Sequence, residues 1–141
     1  MTLFLLKTEP GTYSFEDLQR DKRTAWSGVT NPGALIHLRS IRAGDEALIY
    51  HTGEEKAIVG LACAVGKPYA DPARPGKAPT GEPKFAVVDL APVKPAKTPL
   101  SLAAMRADAR FAEFVLLKNS RLSVMPVPPA LAKIIRSLTG L

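Results

Sequence analysis

The 141 residues, 46% hydrophobic and 23% charged, have the size and balance of one globular domain with a core that needs no staples. The lone cysteine, Cys63, excludes a disulfide framework and points to a reducing compartment, read as the cytoplasm. A formal charge of +6 favours polyanions as partners, nucleic acid first. No apolar window is long enough for a membrane span, and no basic region precedes the short apolar N-terminus, so no signal peptide is expected. There is no zinc spacing, P-loop or dinucleotide fingerprint, and His37 and His51 stand apart without a cysteine pair. Neither a metal nor a cofactor is expected.

In chain order, residues 3–7 form an apolar run ended by Pro10-Gly11, which reads as a strand buried on both faces. Lys7, Thr8 and Glu9 emerge at its end, aimed into a cleft or lying on a solvated turn. Ser14-Phe15-Glu16-Asp17 reads as a capping box with Asp replacing the usual Glu, starting a short helix over 15–20. Tyr13 is placed to staple onto Leu18, a structural role. Residues 26–32, Trp26-Ser27-Gly28-Val29-Thr30-Asn31-Pro32, fall between two helical patterns and read as a loop carrying the only tryptophan. Such an indole either plugs the core or presents its face to a ligand. Asn31 at the cap and Pro32 at the first helical position start the next helix, over 32–40. Backbone N–H groups with partial positive charge then lie near the indole, an arrangement that suits a flat, polar ligand such as a nucleobase.

Leu35, Leu38 and Ile41 mark the buried face of that helix, and Gly44-Asp45 makes a turn. Strands over 47–51 and 57–65 follow, joined by a polar loop. Tyr50 and His51 face opposite ways, so either one belongs to the core and the other to the surface. Residues 66–84 carry five prolines and the cations Lys67, Arg74, Lys77 and Lys84. They read as an extended, solvated loop, with contact to a phosphate backbone as the alternative. Residues 85–90 form a strand, and Ser101 caps a helix over 102–107. In residues 121–126, Leu122, Val124 and Pro126 alternate with Arg121, Ser123 and Met125, as in a strand with one polar side. Ser120, Arg121 and Ser123 offer donors for a base edge or phosphate. Pro129 opens a last helix with Leu131, Ile134, Ile135 and Leu138 on one face and Gly140 past its end. This order predicts an α+β fold, a mostly antiparallel curled sheet flanked by helices, in a single domain over 1–141.

Several blocks in sequence order carry a resemblance: Leu5-Leu6-Lys7-Thr8-Glu9-Pro10, Tyr13-Ser14, Trp26-x-Gly28-Val29-x-Asn31, Gly44-Asp45 with Tyr50-His51, Ile58-Val59-Gly60, and Ser120-Arg121-Leu122-Ser123-Val124-x-Pro126-Val127. Over residues 4–138 the chain resembles the EVE domain, of the PUA-like superfamily and related to the YTH readers of methylated adenine. The resemblance implies a small β-barrel flanked by helices that binds DNA or RNA through a modified base, notably a modified cytosine, without catalysis. On that likeness Trp26 stacks on the base, and Val29, Asn31, Tyr50 and His51 surround it. Lys7, Thr8, Ser120, Arg121 and Ser123 supply polar or phosphate contacts, and a monomer is expected.

Two departures bear on this. Ser27 replaces the family's usual acidic residue, and Thr30-Asn31-Pro32-Gly33-Ala34-Leu35-Ile36 replaces an Arg-Asn-Tyr-Gln-Ala-Arg-Asn run. An aromatic and two arginines are thereby missing, which predicts weaker phosphate contact at that helix start and a different specificity. Two alternatives remain. Some PUA-like relatives resemble amidohydrolases using Lys, Thr and Glu, types supplied by Lys7, Thr8 and Glu9, although neighbours on an extended chain point alternately. A general RNA-binding module is the other.

Overall fold

The structure is a computed structural model and describes residues 2–141. The first strand, β1 (Leu3–Thr8), is apolar on both faces because it lies inside the sheet. On one side it pairs in parallel with β3 (Glu46–His51), from Leu3 opposite Glu46 to Thr8 opposite His51. On the other it pairs antiparallel with β7 (Val124–Pro126). A parallel pair needs a long crossover. It is supplied by α1 (Phe15–Asp21), β2 (Thr24–Trp26) and α2 (Pro32–Arg39).

From β3 the chain turns into β4 (Ala57–Ala64), passes β5 (Tyr69–Ala70), and enters the long β6 (Ala86–Ser101). Then follow α3 (Leu102–Arg106), a 3-10 turn over Ala109–Phe111, α4 (Val115–Lys118), β7 and α5 (Pro129–Thr139). The strand order is β2-β6-β4-β3-β1-β7, with β5 added to β6. The sheet is the expected α+β assembly, mostly antiparallel, with β1 and β3 as its parallel pair. It curls into a half-barrel whose two end strands, β2 and β7, are not paired to each other.

Several expectations need correcting. Trp26 closes β2, opposite Val88 of β6, and is not in a loop. Strand β6 continues eleven residues beyond the expected end at Leu90, to Ser101, through Pro92, Pro95 and Pro99. Prolines cannot donate to a ladder, so they argue against a strand unless it lies at a sheet edge or its register is broken. It is broken here: the β4–β6 pairing shifts between Ile58 and Gly60 and again between Leu61 and Ala62, opposite the proline stretch. Tyr50 and His51 are both buried, because β3 is covered on both faces. Near β7, Met125 is buried beside Val124 while Pro126 is exposed, so the expected alternation fails. In α5 the buried face is Leu131, Ile135 and Thr139, and Leu138 is 41% exposed.

Other local signals hold. Ser14 Oγ accepts from Asp17 N–H at 3.0 Å and the Asp17 carboxylate accepts from Ser14 N–H at 2.9 Å, the full capping box. Asn31 Oδ1 accepts from Ala34 N–H at 3.1 Å, with Pro32 in the first turn. Gly60 faces the ring of Phe15 so closely that a Cβ there would come within 2.5 Å of it. That close approach seats α1 on the sheet.

Candidate functional site

A cleft of about 490 Å³ opens between the two ends of the curled sheet, and eleven residues line it. Lys7 and Thr8 come from the end of β1, where that strand outruns its pairing with β7, and Ser123 comes from just before β7. All three residues of β2 line it from the other side, followed by Ser27, Gly28 and Val29. Thr12 and Tyr13, leading into α1, complete the wall. The volume lies in the range of small-molecule pockets.

Trp26 and Tyr13 are the aromatic members. Their ring centroids are 6.2 Å apart with planes at 86°, an edge-to-face pair. Trp26 is 7% exposed, so the indole shows the cleft a strip of roughly 20 Å² and keeps the rest of its surface in the core. Tyr13, expected as a staple, is half-buried and open to the cleft. Its hydroxyl donates to Asp21 Oδ2 at 2.8 Å, and burial followed by the nearby carboxylate raises the phenol above its usual range. Sequence reasoning missed Tyr13 as a cleft residue, although Tyr13-Ser14 stood among the matching blocks. Gly28 has φ +81° with open space where a Cβ would stand, so the turn needs its left-handed backbone.

The polar side is anchored by β1. Lys7 N–H donates to the Ser123 carbonyl at 2.9 Å, and Lys7 Nζ to the Ser120 carbonyl at 3.2 Å. Burial lowers the Lys7 ammonium below its usual range. Ser120 and Arg121 form an exposed turn held by Asn119 Oδ1, which accepts from Arg121 N–H at 3.2 Å. The turn overhangs Lys7, and of its neighbours only Ser123 reaches the lining.

Of the ten residues singled out, Lys7, Thr8, Trp26, Val29 and Ser123 line one cleft. Ser120 stands at its edge through the Lys7 contact, and Arg121, the next residue, is exposed and outside the lining. Asn31 caps α2 and lies outside the lining. Tyr50 and His51 also lie outside it, enclosed within β3. His51 is 2% exposed; its Nε2 accepts from Phe15 N–H at 3.0 Å, and its Nδ1 lies 2.6 Å from Glu55 Oε1. An acceptor Nε2 places the proton on Nδ1, so this is a neutral imidazole donating to Glu55. It positions the start of α1, two residues past Tyr13.

Lys7, Thr8 and Glu9 do not converge. Thr8 Oγ1 donates to the Tyr13 carbonyl at 2.6 Å, Lys7 Nζ reaches Ser120, and the Glu9 carboxylate accepts from Gly11 N–H at 3.1 Å. A hydroxyl nucleophile needs a base within hydrogen-bond reach, and the Thr8 hydroxyl is turned to a carbonyl instead. A larger cavity, about 650 Å³, opens at the opposite end of β1 between Leu3, Val127 and α5. Among the described residues no aromatic ring lines it.

An EVE domain family model matches residues 2–138. Thymocyte nuclear protein 1 of Homo sapiens is 30% identical over 152 aligned residues, covering 88% of this chain and 68% of that protein. The NMR structure of Rpa0253 from Rhodopseudomonas palustris superposes with a TM-score of 0.88 at 38% identity, covering 99% of this chain and 94% of that one. The crystal structure of human THYN1 protein in complex with 5-methylcytosine containing DNA superposes with a TM-score of 0.86 at 28% identity, covering 98% and 97%.

Proposed function

The chain belongs to the EVE domain family, and from that we propose that it is a non-catalytic reader of a modified base, 5-methylcytosine in DNA before others. The observation that carries the reading is the cleft at the sheet seam. It is large enough for one base, has two aromatic rings in its wall, and is lined as well by Lys7, Thr8 and Ser123. The likeness to a relative crystallised with 5-methylcytosine containing DNA supports the same choice of ligand. A modified base in RNA would meet the same groups. The cleft is built within one chain, in keeping with a monomeric reader. Half-buried Cys63, the sole thiol, is in keeping with residence in the cytoplasm.

Extracting a base from a duplex costs a few kcal/mol. Contact with an aromatic ring returns roughly 1–3 kcal/mol. The two nearly cancel, so discrimination falls to the polar groups and to the fit around the methyl. Trp26 is the only tryptophan, so its fluorescence reports on the cleft directly. Titration with methylated and plain oligonucleotides, as DNA and as RNA, should change the emission and give tighter binding for the methylated DNA. Equal affinities for all four would end the reader assignment.

A further inference from the structure

We propose that the basic groove between α2 and the proline-rich segment 66–84 is the track for the phosphate backbone on one side of the bound base. This rests on the reading of the cleft as a DNA-binding site. Val29 lines the cleft, and the next residue, Thr30, opens a second cavity of about 330 Å³, flanked by Lys77, Lys84 and Arg39. Arg39 also lines a third, about 340 Å³, with Arg42, Lys67 and Glu82. Val29 and Thr30 are consecutive, about 3.8 Å apart at Cα, so the second space begins one residue from the cleft, and Arg39 lines both the second and the third.

The five cations of this groove outnumber its single carboxylate. Arg39 donates to the carbonyls of Pro83 and Lys84 at 3.4 and 3.2 Å, and Arg42 to those of Arg39 and Ile41 at 2.8 and 2.9 Å. Lys84 Nζ lies 5.4 Å from the centre of the Phe85 ring. Among the described residues none of the five cations is in an ion pair, and the groove's single carboxylate, Glu82, accepts from the Thr80 hydroxyl at 3.1 Å. Guanidiniums fixed by backbone carbonyls keep donors free for an anion. The eight residues of α2 rise about 12 Å, room for three or four nucleotides at about 3.4 Å each. Residues 30–36, around the start of α2, lack the two arginines that the resemblance implies there. Cations from further along the helix and from the facing loop take over that role.

The test uses single-stranded DNA of about ten nucleotides, with 5-methylcytosine at the 5′ end, the 3′ end or the centre. Because the groove leaves the cleft on one side, one end placement should bind more tightly than the other. The exposed triple variant Lys67→Ala, Lys77→Ala, Lys84→Ala should erase that difference. It should also flatten the slope of log K against log salt by about 2, at roughly 0.7 per phosphate for three contacts. Circular dichroism checks the fold of the variant. A triple variant with the parent's slope and end preference overturns the track. If the parent does not discriminate methylated from plain strands yet the variant still loses its slope, the reader assignment fails and the track stands. A parent that binds neither strand overturns both.

Discussion

At the residue scale, His51 shows how one buried nitrogen decides a role. Its Nε2 is the acceptor for Phe15 N–H, in a buried place. Replacing His51 by Leu leaves that N–H unsatisfied, at a cost of about 1–3 kcal/mol. Urea denaturation should therefore give a lower midpoint for His51→Leu, and an unchanged midpoint would deny His51 its positioning role. Trp26 is read on a different footing. With so little of the indole exposed, Trp26→Ala creates a cavity and should cost about 3–5 kcal/mol in stability. Lost binding in that variant would not isolate the contact. Trp26→Phe keeps the wall filled and is the informative change. It should weaken binding of the methylated strand by less than the roughly 1–3 kcal/mol of a whole base–aromatic contact, because a smaller ring replaces the indole. Affinity equal to the parent's would show that the indole adds nothing a phenyl ring does not. The sequence marked Trp26 because a lone tryptophan beside Gly28 stands out. It could not show Tyr13 beside it, since a tyrosine before a capping box has an ordinary structural use.

At the element scale, α1 was the most legible piece, because caps are local chemistry. Ser14, Asp17 and the hydrophobic Phe15 and Leu18 announce its start and its buried face without help from distant residues. Ser14→Ala should cost about 1 kcal/mol. The Ser14 backbone N–H, first among its partners, holds the Asp17 carboxylate below the usual range. A carboxyl with a depressed folded value adds stability above the unfolded value, near 3.8, and loses it as pH falls through the folded one. Acidification below that range should therefore loosen the start of α1 and, next to it, Tyr13. Amide resonances of Ser14 and Asp17 that stay fixed through the acid titration would contradict this. Gly60→Ala probes the same helix from beneath, because the added methyl must displace the Phe15 ring. Overpacking of this kind costs about 1–3 kcal/mol, measurable in the same urea experiment. The far half of β6 was illegible for the opposite reason. Its prolines are tolerated because this half of β6 pairs with β4 on one side only and β4 shifts register against them, features that belong to several strands at once.

At the scale of the whole molecule, the curled sheet and its flanking helices followed from element order and from the matching blocks. What sequence could not supply was the meeting of β1 with β2, strands far apart in the sheet order that come together only when the sheet bends round. A ligand seated there touches both ends of the sheet. Binding to the folded state alone stabilises by about 2.7 kcal/mol at a hundredfold excess over Kd. For a domain this size that shifts Tm by roughly 6–10 °C. Methylated DNA should produce that shift and plain DNA a smaller one; identical melting curves with the two strands would count against selective occupation of the cleft.

The unpaired end strands have one more consequence. Were β2 laced to β7 along its length, a visitor could enter only by tearing main-chain bonds, and each entry would be slow. Left unlaced, the wall already has its doorway, so the rate of capture should be set by how soon the nucleotide leaves its own stack, and hardly at all by any rearrangement of the protein.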